Sequence, residues 1–314
     1  MKKALLVVLI LGLMFAAFAD DAKVMPKGVI RVYVVPSYVS GTEMFNYDGE
    51  KVDFAYGDYS FFNLGAAVEF GINDWITGAV QWAPGMNLYS DFSSVPNQKA
   101  EGPFELFTGA KFQLVGPAAP VQNDMFRFAA AAGVMIPMAF SYDAMDELIA
   151  AGGGNEYNIG VGTGALGIGA RVYADYIINK MFFVNLYGEF IYFLEKDAEG
   201  DFLGTQSGAD TVNYGYKLTG ETELQFSTPL AGGLSLSAGL PVTFVYEPQT
   251  VYNDNEADSD FAKYTLSLNP NASVFVTSLP LPLEFKISDR FPLMGQGTLA
   301  SNTLSLQIKA YMKF

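Results

Sequence analysis

The last eleven residues of the chain, 304–314, alternate apolar and polar side chains with a period of two. Leu304, Leu306, Ile308, Ala310, Met312 and Phe314 share one face, and Ser305, Gln307, Lys309, Tyr311 and Lys313 share the other. Successive side chains of a strand point to opposite sides, so such a run sets one row of residues in an apolar medium and the other in a polar one. The same parity returns in 30–38, 62–72, 76–82, 104–114, 126–138, 166–178, 182–194, 214–226, 234–246, 264–276 and around 283–288. These runs are long enough for tilted strands to cross a hydrocarbon layer, and with the last they number about twelve, an even count. Asn73-Asp74 and Asn179-Lys180 supply tight turns between neighbouring runs.

The start of the chain has a different pattern. Lys2 and Lys3 precede an apolar run over 4–15, and Ala17-Phe18-Ala19 stands before Asp20-Asp21. This reads as a cleaved secretory signal peptide over 1–19, leaving a single domain over 20–314. Beyond residue 19 there is no stretch of 18 apolar residues for a spanning helix. Half of the chain is nevertheless apolar, and alternating strands account for that. A soluble β-sandwich also alternates. The strand lengths, the aromatics toward strand ends (Tyr38, Trp82, Phe104, Phe126, Tyr176, Tyr192, Tyr214, Tyr246, Tyr264) and the terminal Phe314 favour a membrane barrel. The expected fold is all-β: a closed antiparallel up-and-down transmembrane β-barrel of about 12 strands, alternatively 14, in the outer membrane of a two-membrane bacterium.

Loop lengths follow the same plan. Long connections at 41–58, 87–102, 139–156, 195–212, 247–261 and 290–299 alternate with mostly short ones, as extracellular loops alternate with periplasmic turns. The long loops are acidic, holding among others Glu43, Asp48, Glu50, Asp53, Asp146, Glu147, Asp197, Glu199 and Asp201 against Lys51, Lys99 and Lys196. A short helix is expected over 143–151, ended by Gly152-Gly153-Gly154.

Composition excludes several function classes. The net charge of −15 has the wrong sign for a nucleic-acid partner. There is no cysteine and no histidine, which removes thiolate chemistry, lipoprotein acylation and the usual base of Ser and Cys hydrolases. No cofactor is implied. Glu221 and Glu223, about 7 Å apart on one strand face, are within range for acid/base work, but repeated surface acids are commoner than catalysis and no enzyme is expected. Asp254, Glu256, Asp258 and Asp260 offer hard oxygen ligands without EF-hand spacing and read as a solvated acidic loop. Gly160, Gly162, Gly164, Gly167 and Gly169 lack the Gly-Lys-Ser/Thr of a phosphate loop and read as strand glycines allowing curvature.

Parity assigns the lumen. Basic Arg31, Lys111, Arg127, Arg171, Lys217, Lys263, Lys286 and Lys309 point inward with acidic Glu69, Glu105, Asp175, Glu189, Glu221, Glu223 and Glu284. They form either structural ion pairs that stiffen the wall or an aqueous path whose charges select solutes. Tyr33, Tyr59, Phe61, Trp75, Phe107, Tyr173, Phe183, Tyr187 and Phe275 face inward too, which favours a narrow route or amphipathic solutes over a wide water pore.

The C-terminal strand resembles the assembly signal of bacterial outer-membrane proteins, a final aromatic (Phe314) preceded by Met312, Ala310, Ile308 and Leu306 at alternate positions. That resemblance implies the barrel-assembly machinery as a partner, with outer-membrane lipid and lipopolysaccharide around the barrel. Segments 66–84, 131–137 and 239–241 resemble hairpins of the phenol-degradation meta-pathway barrels and of long-chain fatty-acid transporter-like barrels. This second resemblance implies uptake of hydrophobic compounds. The chain departs from the fatty-acid transporters in having only residues 20–29 before its first strand, too few for an N-terminal hatch. The expected function is an outer-membrane channel for small hydrophobic or amphipathic solutes. A general small porin, or a closed-lumen adhesion protein acting through its acidic loops, stands as the alternative.

Overall fold

Twelve antiparallel strands close on themselves in the computed structural model, which describes residues 21–138, 142–253, 255–256 and 261–314. They are β1 (Val29–Gly41), β2 (Tyr59–Asn73), β3 (Ile76–Phe92), β4 (Leu106–Val115), β5 (Phe126–Ile136), β6 (Gly167–Ile177), β7 (Phe182–Phe193), β8 (Tyr216–Leu230), β9 (Leu234–Glu247), β10 (Lys263–Leu268 and Asn271–Val276), β11 (Leu283–Gln296) and β12 (Asn302–Lys313). Each pairs with the next, and β1 pairs with β12 from Val29↔Lys313 to Ser40↔Asn302. Closure leaves no unpaired edge, the condition for a strand to sit in lipid. The break in β10 falls at Asn269-Pro270, where proline has no N–H to give the ladder.

The alternation read from the sequence is the inside and outside of this wall. On β2, Tyr59, Phe61, Asn63, Ala67 and Glu69 are buried toward the lumen, while Phe62, Leu64, Val68, Phe70 and Ile72 lie exposed on the outer surface. The other strands repeat this pattern, and the apolar exterior that results suits acyl chains rather than water.

Two outer loops are shorter than expected because β3 runs on to Phe92 and β11 to Gln296. In both, the alternation slips at a β-bulge. Leu88 is the extra residue between Asn63↔Asn87 and Phe62↔Tyr89, and Leu293 the extra one between Ser267↔Pro292 and Leu266↔Met294. Each bulge leaves two successive outward residues, Leu88 with Tyr89 and Leu293 with Met294, and β3 has a further irregularity just past Trp82, between Ala66↔Trp82 and Leu64↔Met86, where the run read by parity stops.

The expected helix is present as α1 (Ala144–Gly152), with the Asp143 carboxylate accepting the Met145 and Asp146 N–H groups as N-cap. A shorter helix, α2 (Phe202–Ser207), is capped in the same way by Asp201. Three small ladders tie the outer loops together: Glu43–Phe45 with Lys51–Asp53 and Thr298–Leu299, Gln98–Lys99 with Tyr157–Asn158, and a third joining Lys196–Asp197, Thr211–Asn213, Val251–Tyr252 and Asn255–Glu256. The signal peptide expected over 1–19 lies outside the described residues. So do Asp254, Asp258, Asp260 and the side chain of Glu256. Among the described residues no three or more acidic side chains come together in a group that could hold a metal ion.

Candidate functional site

The lumen is organised in three levels. At the periplasmic end, the seven residues 21–27 enter the barrel as an extended strap. The barrel wall supplies its hydrogen bonds. Ala22 N–H donates to Asp175 Oδ1 (2.9 Å), Gln113 Nε2 donates to the Ala22 carbonyl (2.9 Å), and Lys111 Nζ donates to the Asp21 carbonyl. Met25 N–H donates to Thr77 Oγ1 at 2.7 Å. Ala22 is fully buried against Ala129, Ala131 and Tyr173. The strap leaves the lumen against Gly71, where an added Cβ would lie 2.0 Å from the Pro26 carbonyl oxygen.

Above the strap a polar chain crosses the lumen wall. Arg31 pairs with Glu69, which also accepts from Gln81 Nε2 (3.0 Å); Gln81 Oε1 accepts from Arg171 (2.6 Å), and Arg171 Nε donates to Glu189 at 2.6 Å. Tyr187 donates to Glu189 (2.9 Å), and Arg171 lies 3.7 Å from the Phe107 ring centroid. Arg127 lies 3.8 Å from Asp175, and Lys309 3.3 Å from Glu284. On the far wall Thr243 donates to Glu221 (2.5 Å), while Asn185 and Asn271 donate to Glu223 (2.9 and 3.0 Å). Lys217 pairs with Glu247 at 3.5 Å. Lys263 is buried, and Lys286 half-buried, on the same inner surface. These charges are therefore linked to one another along the inner wall.

The extracellular end is apolar. Val39, Tyr59 and Phe61 of the wall join Met44, Phe54, Tyr56, Phe92, Phe104, Ile159, Val161, Phe202 and Leu203 in one buried cluster. Its rings meet edge-on, as in Phe61–Phe92 (5.5 Å) and Phe54–Tyr59 (5.1 Å). Loop polar groups are buried beside it. Tyr214 donates to Asp201 Oδ2 at 2.5 Å, and burial followed by the Asp201 charge pushes this phenol well above its ordinary range. Burial likewise lowers the Lys196 ammonium.

Three sequence assignments change. Trp75 does not face the lumen. It sits in the β2–β3 turn, where alternation stops, and its ring lies 6.5 Å from that of Phe112, an outward residue of β4. Gly160, Gly162 and Gly164 are not strand residues. All three have positive φ, and the loop wraps the carboxylate of Glu105, which accepts from the Thr163 N–H, the Thr163 hydroxyl (2.8 Å) and the Gly164 N–H (3.0 Å). Glu105 therefore serves as the anchor of an outer loop, held in a backbone nest. Gly167 and Gly169 remain strand glycines. Met312 and Phe314 lie exposed on the outer surface, Ile308 partly so, and the Phe314 N–H donates to the Gly28 carbonyl (2.9 Å).

The strap carried no sequence signal because it has no period. Gln81, Gln113 and Thr243 stood on the polar faces of their strands and were legible by parity, although no charge drew attention to them.

Neither the protein-family models nor the curated proteins searched contain a match to this sequence. Among solved structures, an outer-membrane channel from Pseudomonas putida F1 is similar over 94% of this chain and 100% of its own, with 14% identity and a TM-score of 0.67. A Pseudomonas aeruginosa FadL homologue (12% identity, 91% and 90% covered) and the β domain of the Bordetella autotransporter BrkA (9%, 91% and 99%) align with TM-scores of 0.40 and 0.45. By its closed wall, its apolar exterior and this full-length likeness of fold, the chain is a transmembrane β-barrel of the bacterial outer membrane.

Proposed function

We propose that this barrel is a channel for small apolar or amphipathic molecules. The observation that carries the reading is the apolar outer half of the lumen, where Val39, Tyr59 and Phe61 of the wall are continuous with the aromatic loop core. A wide aqueous pore lines its lumen with polar groups, since apolar ones facing water cost free energy. Here a solute meets rings and aliphatic groups before it meets charges. The likeness to an outer-membrane channel supports the same reading. Passage requires the loop core to part, because its rings are packed, and requires the strap to shift at the other end.

The test is uptake into liposomes containing the folded full-length protein. Accumulation of a small apolar dye should exceed that of a hydrophilic sugar of similar size, relative to protein-free vesicles. Equal rates for both solutes would mark a general porin, and no rate above the empty vesicles would leave the closed-lumen interaction protein.

A further inference from the structure

Two amide side chains sit where the aromatic outer core meets the polar lumen. Asn63 of β2 and Asn87 of β3 are register partners, and their side chains are 1% and 0% exposed. Asn87 Nδ2 donates to the Ala100 carbonyl. The Asn87 Oδ1, and both Oδ1 and Nδ2 of Asn63, are buried without a hydrogen-bond partner among the described residues. Phe61 stands two residues from Asn63 on the same face of β2 and meets the Phe92 ring edge-on.

A buried amide that has left water and gained nothing in return weakens the fold, and a leucine would fill the same place at lower cost. Two such residues side by side point to a group that arrives later. The atoms they leave open are one donor and two acceptors. A hydroxyl is complementary to that set, since it accepts from Asn63 Nδ2 while donating to Asn63 Oδ1 or Asn87 Oδ1. A hydrocarbon satisfies none of the three, and a carboxylate answers the donor alone while bringing a charge beside Phe61.

We propose that Asn63 and Asn87 recognise the hydroxyl of small neutral amphipathic solutes, whose apolar body rests on Phe61 and Phe92. The inference rests on the channel reading and narrows it from apolar molecules in general to alcohols. A site built to hydrogen-bond a hydroxyl discriminates strongly against the analogue without one, because its own polar atoms would stay unpaired.

The experiment is equilibrium binding of radiolabelled benzyl alcohol and toluene to the folded full-length barrel in detergent, with empty micelles subtracted. Benzyl alcohol should bind at least about tenfold more tightly than toluene. Asn63→Leu should reduce benzyl alcohol to the level of toluene, leave toluene within about twofold and keep the heat-resistant folded form, as relief of an orphaned amide predicts. Asn63→Ala should read the same way if leucine proves too large for the site. Equal binding of both ligands to the unmodified protein, or an alcohol preference that survives both substitutions, would overturn the inference and leave the amides hydrated by water only. In that event measurable toluene binding still preserves the channel reading, whereas binding of neither ligand removes both.

Discussion

The guanidinium of Arg171 lies on the ring of Phe107, 3.7 Å from its centroid, and the ring in turn covers Gly133 and Gly169, where an added Cβ would approach it to 2.5 and 3.1 Å. The stack holds Arg171 in place to pair with Glu189, and both side chains are nine-tenths or nearly so withdrawn from solvent. Removing one partner of such a pair leaves a desolvated charge behind. Arg171→Met should therefore cost about 3–5 kcal/mol in the urea midpoint of the detergent-folded barrel, and Glu189→Gln added to it should restore most of the loss. Purely additive losses in the double variant would mean the pair contributes nothing as a pair.

The strap can be loosened without touching any of its hydrogen-bonding partners. Gly71→Ala places a methyl where the Pro26 carbonyl oxygen now lies, and backbone has no rotamer by which to yield. The expected result is a rise in single-channel conductance in planar bilayers, approaching that of a variant lacking residues 21–26. A conductance equal to that of the unmodified protein, with the deletion conducting more, would place the block elsewhere along residues 21–26.

Parity made the wall legible and the lumen charges with it, because a strand commits alternate residues to one side whatever their chemistry. Arg31, Glu69, Arg171 and Glu189 could be placed inward from spacing alone. That they join through Gln81 could not, since the link depends on Arg171 of β6 reaching Gln81 of β3 past the two strands between them in the wall. The continuation of β3 was hidden because Ala83-Pro84-Gly85 interrupt the alternation just past Trp82, and the bulges at Leu88 and Leu293 lie beyond the runs that parity marked. Residues 160–164 misled for a different reason. Glycine serves a strand and a left-handed loop equally well, and the carboxylate that decides between them, Glu105, is more than fifty positions away in the chain.

That loop gives a sharp test. Gly162 has φ near +73°, and a Cβ there would come within 2.6 Å of Glu105 Oε1. Gly162→Ala meets both penalties, the left-handed backbone and the crowded carboxylate, and should cost roughly 1–3 kcal/mol of loop stability. Externally added protease should cut residues 155–165 in intact cells carrying this variant faster than in cells with the parent protein. Glu105→Gln, which keeps the shape and removes the charge, should fall between the two.

Alkali should open the outer loops. Burial, reinforced by Glu147, holds the Tyr142 phenol above its ordinary value near 10, and burial with Asp201 does the same for Tyr214. For an acid whose folded pKa is raised, the unfolded form releases its proton first, so stability is constant below about pH 10 and falls as pH rises through and beyond it. Tyrosinate absorbance followed from pH 9 to 12 should show a delayed fraction that titrates together with new protease sensitivity of the loops. If every tyrosine titrates in one step near pH 10 with the loops still resistant, these phenols are not shielded.

The charge of the mouth sets a last expectation. Exposed Glu50, Asp53, Asp58, Asp146, Asp197, Glu199 and Asp210 stand on the outer loops, where Lys51 is an exposed base and Lys99 is paired with Glu156 at 2.7 Å. Such a rim concentrates cations and repels anions over a Debye length, which shrinks from about 10 Å at 0.1 M salt to about 3 Å at 1 M. Reversal potentials across a tenfold KCl gradient should therefore report potassium preference in dilute salt and lose it in concentrated salt. Replacing Glu50, Asp53 and Asp58 by their amides should weaken the preference while leaving toluene binding alone, because an uncharged solute does not respond to the field at the mouth. Anion preference that ignores ionic strength would place the selecting charges deeper, on the Lys111 and Arg171 level of the wall, where screening by salt is weak.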